Sequence, residues 1–200
     1  MKIISWNVNG LRAILKKDFF EDIKKMDPDI LCLQETKAQD NEVTKALSQL
    51  SNYNIYVNSA IKKGYSGTVI LSKTKPISIV NDMGIEKHDT EGRIICAEYK
   101  NYYLINVYVP NSGQQLERLD YRKQWDSDFL KYLINLQRVK PIIVAGDFNV
   151  AHKSIDLKND KVNYNKTAGY TQIEINGMDN LIIAEFIDLF RKFYPNTVAY

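Results

Sequence analysis

The sequence is poor in the residues that build disulfide scaffolds and zinc sites, with only two cysteines and two histidines in 200 residues. Cys32 and Cys96 each stand alone inside apolar, strand-like runs, without CxxC or Cys/His spacing. That excludes a disulfide framework and reads as small buried hydrophobes in a reducing compartment. No segment approaches the ~20 consecutive apolar residues of a membrane span, so no membrane partner is expected. "MKIISWNVNG" opens directly on a strand with no apolar signal-peptide core, which makes the cytoplasm the expected compartment. Repeats, low-complexity tracts and Pro/Gly/Ser-rich linkers are also lacking, so residues 1–200 are expected to form a single domain. Charge of one sign is not in great excess: the formal net charge is +3. Such a balance permits a polyanionic partner without demonstrating one. What remains is an ordinary α/β composition, 44% hydrophobic and 26% charged, in a chain long enough to bury roughly 70% of its unfolded surface.

Hydrophobic periodicity divides this chain into alternating elements. "KIISWNV" is a first strand. From Leu11, the apolar positions Ile14, Leu15, Phe19, Ile23 and Met26 form one helical stripe that "DPD" ends. "DILCLQ" is a second buried strand, and a polar helix is expected over residues 41–50. "YNIYVNSA", "GTVILS" and "PISIV" read as strands, the last two joined by "KTK". "RIICAEY" and "YYLINVYV" flank "KN" closely enough for an antiparallel hairpin. A long helix is expected over residues 116–136, with Leu119, Phe129, Leu133 and Leu136 on one face. The buried strand "PIIVAG" follows, then an irregular polar stretch to about residue 176. A final helix is expected to carry Ile183, Phe186, Ile187 and Phe190. Trp6 and Trp125 read as core residues and His88 as a loop residue. Hairpins mixed with strand–helix units favour two mixed sheets packed together with helices outside.

Four of the apolar strands end in oxygen-bearing polar residues. "KIISWNVNG" yields Asn7 and Asn9, and "DILCLQETK" yields Glu35 and Lys37. "YLINVYVPNSG" yields Tyr108 and Asn111, and "PIIVAGDFNVAH" yields Asp147, Asn149 and His152. Asp and Asn favour turns, so four unrelated turns would explain them. Convergence on one site would also explain them, because strands from a rigid core hold functional groups precisely. In that case Glu35 and Asp147 offer anionic oxygens, and Asn7 and Asn149 neutral ones, a set that suits Mg²⁺ or Mn²⁺ rather than zinc. Nearby amide and phenol donors suit phosphate oxygens. His152 lies four residues before Asp156, and a local His–Asp bond fixing the loop is expected there rather than catalysis.

"KIISWNVNGLRA", "PDILCLQETK", "GYSGTVILSK", "EGRIICAEY", "NVYVPNSG", "RLDYRKQWD" and "GDFNVAHKSIDL" together resemble the exonuclease III / class II AP endonuclease family. This family sits within the endonuclease/exonuclease/phosphatase superfamily. The motifs follow the family's order along nearly the whole chain. The resemblance implies an α/β fold, a four-layer sandwich of two mixed β-sheets packed face to face and flanked by helices. It implies a Mg²⁺-dependent (or Mn²⁺-dependent) DNA-repair phosphodiesterase that cuts 5′ of abasic sites, with 3′→5′ exonuclease activity as a second capacity. By resemblance, Glu35 is the principal metal ligand, with Asn7 beside it as ligand or orienter. Asp147 is the base that activates water, or a metal ligand. Asn149 steadies the phosphate and belongs to the same metal and phosphate set, while Tyr108 and Asn111 make further phosphate contacts. Tyr65 and Lys37 contact the DNA backbone. The implied partner is double-stranded DNA with abasic sites or 3′ ends, bound by a monomer.

The sequence also departs from that pattern. After "YPNT" the family continues with an aromatic stretch, an Arg–Asp–Tyr motif and a terminal Ser–Asp–His, and none of these follows here. The resemblance therefore implies that the closing strands are missing and that these 200 residues alone are weakly active or inactive. Gln114 stands where some members carry a basic residue, and Thr167 and Ile175 replace the usual Asn and Arg around "AGYT". The rival readings are a catalytically incomplete DNA-binding fragment and a small-molecule phosphodiesterase of the same superfamily.

Overall fold

Alternating apolar positions let a strand bury both faces when each face meets a different partner. The computed structural model, which describes all of Met1–Tyr200, uses this device twice in strand β2 (Ile30–Gln34) and strand β4 (Thr68–Ser72). The chain divides into two compact units, one made of Met1–Val109 and Leu136–Phe148, the other of Pro110–Asn135 and Asn149–Tyr200.

The first unit contains two four-stranded mixed sheets packed together. One sheet has the order β1-β2-β4-β3, with β1 (Ile3–Asn7) parallel to β2 and β3 (Asn54–Asn58) antiparallel to β4. The other has the order β5-β6-β7-β8, from β5 (Ser78–Asn81), β6 (Ile94–Glu98), β7 (Tyr103–Tyr108) and β8 (Ile142–Asp147). In that sheet β6 and β7 form the expected antiparallel hairpin, and β8 runs parallel to β7. "KTK" does not close a hairpin: it carries the chain from one sheet to the other. The two mixed sheets are those expected from the sequence.

Leu31, Leu33, Val69 and Leu71 face a cluster with Leu11, Phe19, Ile23, Val43 and Leu47. Those residues come from helices α1 (Leu11–Ile14), α2 (Phe19–Met26) and α3 (Asp40–Leu47). The alternate residues Ile30, Cys32 and Ile70 face Ile95, Ala97 and Leu104 of the second sheet. Burying each such aliphatic side chain contributes about 1.5–3 kcal/mol. A buried polar cross-link also joins the sheets. The Asn106 amide donates to the carbonyls of Leu33 (3.0 Å) and Val69 (2.8 Å), and its oxygen accepts from Gln34 Nε2 at 2.7 Å.

The expected single helix over residues 11–26 is broken. Lys16 and Lys17 bond three residues back, to Ala13 and Ile14. This tighter winding ends the first helix, and Asp18 then precedes a new one. The new helix buries Phe19 and Ile23 together, and it stops at Asp27, whose φ of 42° precedes Pro28. Trp6 packs on this cluster, its ring 5.6 Å from that of Phe19.

The second unit is helical, with most of α4 (Leu119–Gln137), then α5 (Asp160–Asn163), α6 (Gln172–Ile183) and α7 (Leu189–Phe193). The buried stripe of α4 is Arg122, Trp125, Phe129 and Leu133: Phe129 and Leu133 are buried as expected, while Arg122 and Trp125 take the buried places expected for Leu119 and Leu136, which are only half-buried. An arginine with a place to bond can be buried, and periodicity does not register it. Trp125 stacks on Phe129 at 4.9 Å, so its core assignment holds. The final helix is also misplaced by periodicity. α6 starts earlier, capped reciprocally by Thr171 and Glu174, and ends before Ile187. Glu185 adopts φ 68° there, and Phe186 N–H bonds back to the Leu181 carbonyl, a terminating turn without the usual glycine. Ile183 and Ile187 are consequently exposed. No helix is long and apolar enough to cross a membrane.

Both cysteines are free and buried, and burial pushes the Cys32 thiol up to about 12. A thiol reagent at pH 8 should label neither cysteine in the folded protein and both after denaturation. Asn106→Leu should lower the urea midpoint through a stability loss of about 1–3 kcal/mol for each cross-sheet group left unpaired.

Candidate active site

Parallel pairing decides where strand ends fall. Asn7 pairs in register with Gln34, the residue before Glu35, and Tyr108 pairs with Asp147. Each sheet therefore presents two C-terminal strand ends side by side. Two side-chain bonds then join the sheets at this end. Asn7 Nδ2 donates to Asp147 Oδ2 at 2.6 Å, and the Tyr108 hydroxyl donates to Glu35 Oε1. Glu35 Oε2 lies 2.8 Å from Lys37 Nζ, which also donates to Asn9 Oδ1 at 2.6 Å. Asn7 Oδ1 accepts from the Asn9 amide at 2.9 Å.

The backbone is bent to achieve this. Asn9, Glu35 and Lys37 all have left-handed φ, at 46°, 55° and 51°. Such conformations cost of order 1–3 kcal/mol for residues other than glycine and gather at functional sites. One glycine is required for a different reason. A Cβ on Gly146 would lie 1.9 Å from the Val107 carbonyl oxygen. Only glycine lets β8 approach β7 closely just before Asp147.

The electrostatics follow from these contacts. Burial by itself would raise the Glu35 carboxyl, but hydrogen bonds from Lys37, Tyr108 and Asn7, with the Lys37 charge, outweigh it and hold the group below the usual carboxylate range. Burial, then the bond to the Glu35 anion, raises Tyr108 well above an ordinary phenol. Tyr108 thus remains a protonated donor at neutral pH.

Arg93 was not singled out by sequence, although a charged residue opening the apolar run "RIICAEY" is a signal. It is buried, and its guanidinium bonds the Tyr65 hydroxyl at 2.9 Å and the Tyr108 carbonyl at 3.0 Å. Glu91 neutralises it at 2.6 Å, and the guanidinium carbon lies 4.8 Å from the centre of the Tyr108 ring. Tyr65 is therefore tied to the same group as Tyr108. Lys37, expected as a DNA contact, has its ammonium on Glu35 and Asn9.

The donor set fits a hard divalent cation: one or two carboxylates and an amide oxygen, as Mg²⁺ takes when it keeps several waters. The ion pair of Glu35 with Lys37 shows that a positive charge is accommodated beside this carboxylate. No cluster of three or more His, Cys, Asp or Glu side chains gathers as a ready-made metal cage. At this end of the sheets, Glu35 and Asp147 offer carboxylate oxygens and Asn7 an amide oxygen for such an ion.

In the second unit, Asn111 and Asn149 come together, Asn111 Nδ2 lying 3.4 Å from Asn149 Oδ1. Asn111 Oδ1 accepts from the Gly113 amide at 2.8 Å, and Asn149 has a left-handed φ of 46°. His152 is fixed as expected, but by a different route. Asp156 accepts the main-chain N–H of His152 and Lys153, at 3.1 and 2.7 Å, while the His152 ring meets Asp179 at 2.7 Å. The turn over residues 153–156 presents amides to Asp156, leaving the ring for the neighbouring helix. His88 is buried in a turn-rich segment.

The endonuclease/exonuclease/phosphatase family model matches residues 4–197, and the chain belongs to this family. Within the family it is of the exonuclease III/AP endonuclease type. It is 49% identical to an exodeoxyribonuclease of Bacillus subtilis over 98% of this chain and 77% of that protein. It is 48% identical to the DNA repair nuclease APEX1 of Danio rerio, over 98% of this chain and 64% of that protein, which it therefore spans by less than two thirds. An AP endonuclease structure from Archaeoglobus fulgidus superposes with a TM-score of 0.85 at 27% identity, covering all of this chain and 77% of that one.

Removing the Tyr108 hydroxyl tests the electrostatics directly. Because the Glu35 carboxyl is depressed in the folded state, the stability it contributes is present above pH 4.5, its ordinary value, and is lost as pH falls below it. Tyr108→Phe should raise the Glu35 titration, followed by carboxyl carbon NMR, and move the acid loss of stability to higher pH. An unchanged Glu35 titration would refute the bond's electrostatic role.

Proposed function

We propose that the protein is a Mg²⁺-dependent DNA-repair phosphodiesterase, an AP endonuclease that cuts 5′ of abasic sites and also removes nucleotides from 3′ ends. Mn²⁺ would serve the same oxygen ligands. The observation that carries this reading is the joining of Glu35 to Tyr108 and of Asn7 to Asp147 at one end of the two sheets. The kinship with nucleases of this type supports the reaction class.

Phosphodiester hydrolysis needs a base for the attacking water and donors for the charge that builds on phosphorus-bound oxygens. Bound by Glu35, with Asn7 and Asp147 beside it, Mg²⁺ would supply Lewis-acid stabilisation of that charge. Asp147 is the base in this reading. The Asn7 amide holds one of its oxygens, which fixes the carboxylate's orientation. Tyr108 does not ionise at neutral pH, so its hydroxyl, turned from Glu35 to a phosphate oxygen, would donate there without adding negative charge. Asn149 and Asn111 carry the further phosphate contacts, and Tyr65 and Lys37 the contacts to the DNA backbone. Recognition would rest on backbone and shape, with the base-less sugar turned out of the duplex.

Turnover of an abasic-site duplex, with and without Mg²⁺, tests the proposal. In a chain that also carries the family's closing motifs, Asp147→Asn should lower kcat by at least about 10²-fold while sparing DNA affinity, since a base is lost and backbone contacts remain. Glu35→Gln should weaken metal binding, measured by calorimetry, as well as turnover. DNA affinity should fall steeply with salt, because phosphate contacts release counterions. A flat salt dependence would indicate a small-molecule phosphodiester substrate instead.

A further inference from the structure

The two asparagines of the second unit sit on segments far apart in sequence, after "YVP" and after "GDF". One buried side chain holds both. Arg122, on the first turn of α4, donates from Nη1 to the carbonyl of Pro110 at 3.0 Å and to the carbonyl of Asn149 at 3.1 Å. Pro110 immediately precedes Asn111. A single guanidinium nitrogen therefore grips the main chain at, or next to, both asparagines.

The grip is itself braced. Arg122 Nε faces both Asp126 oxygens, at 2.8 and 2.9 Å, one helical turn along α4. The Arg122 side chain is 3% exposed and that of Glu174, 3.8 Å from Nη1, is fully buried. Glu174 accepts the Ser112 hydroxyl and the amides of Gly169 and Thr171, at 2.9 and 3.0 Å for the last two. Gly177 allows this close packing, for a Cβ there would lie 2.5 Å from Asp126 Oδ2. Buried charges at this density are costly unless every one is paired; here Arg122 pairs directly with Asp126, and Glu174 is satisfied by loop amides and hydroxyls.

We propose that Arg122 is a positioning residue for the reaction: it fixes Asn111 and Asn149 relative to each other through their main chains, and Asp126 sets its orientation. This rests on the reading above, in which these two amides contact the phosphate. The fork geometry matters. Lysine keeps the charge but cannot span Asp126 and two carbonyls with fixed planar donors. Loss of the grip would loosen the amides by a fraction of an ångström to an ångström, enough to cost catalysis without removing a substrate contact.

The test uses Arg122→Lys, Arg122→Met and Asp126→Asn in the full-length protein with Mg²⁺ and an abasic-site duplex. Near-UV circular dichroism reports folding, and the side-chain amide NMR signals of Asn111 and Asn149 report position. Expected are folded variants whose kcat falls about tenfold to a hundredfold, with KM nearly unchanged. The Asn111 and Asn149 amide signals should move, while those of Gln34 and Asn58 stay in place. Should Arg122→Met fail to fold, Arg122→Lys and Asp126→Asn carry the same readouts. A folded Arg122→Lys with unmoved amide signals and wild-type kcat would overturn the inference. Asn111→Ala and Asn149→Ala separate it from the reading beneath it. If both turn over normally while Arg122→Lys still moves the amide signals, the phosphate role falls and Arg122's role in the reaction with it, leaving only its grip on the two main chains.

Discussion

The fixed point of the first unit is the pairing of strand ends across two sheets, Asn7 with Asp147 and Glu35 with Tyr108. Parallel register within each sheet brings two strand ends together, and packing of the sheets brings the two pairs together. Other features of that unit reinforce this register. The buried Gln34–Asn106 link lies one residue before Glu35 on β2 and two before Tyr108 on β7. Because a one-residue slip would turn every side chain to the opposite face, a specific polar bond in an apolar interface pins the alignment where alignment matters most. Gly146 acts in the same direction, admitting β8 to its place just before Asp147.

Much of this was legible in the sequence, and the reasons are physical. Strands such as "DILCLQ" and "YYLINVYV" announce themselves because burial on both faces demands continuous apolar residues. Glu35, Tyr108 and Asp147 stood out because polar groups ending such strands need an explanation. Their partners were not legible. Lys37 on Glu35 is local, but Tyr108 on Glu35 spans 73 residues and Asn7 on Asp147 spans 140, and periodicity carries no information on such contacts. The helix boundaries failed where non-glycine residues took unusual backbone roles, as at Glu185. Arg122 and Arg93 were hidden because buried arginines look like surface residues until their acceptors are known.

These two arginines use the same physical principle in different units. Each is buried, each is neutralised by a carboxylate close by in sequence, and each gives an Nη1 donor to a main-chain carbonyl. A main-chain acceptor cannot rotate away, so the arginine constrains the backbone from which functional side chains project. Arg93 does so at Tyr108, and Arg122 at Pro110 and Asn149. A rigid frame of this kind is what electrostatic preorganisation requires, since donors that must reorient during a reaction lose most of their benefit.

The choice of residue types at the strand ends then has a charge logic. In the proposed reading the site would have to attract both a divalent cation and a phosphate, and additional carboxylates would help the first and repel the second. Glu35 and Asp147 provide the negative charge, and the surrounding groups are amides, a phenol and Lys37. The phenol is kept from ionising by burial and by the Glu35 anion, which prevents Tyr108 from adding a third negative charge. Lys37 offsets Glu35 directly. In the proposed reading a divalent cation held by Glu35 would have to share the carboxylate with that ammonium or displace it.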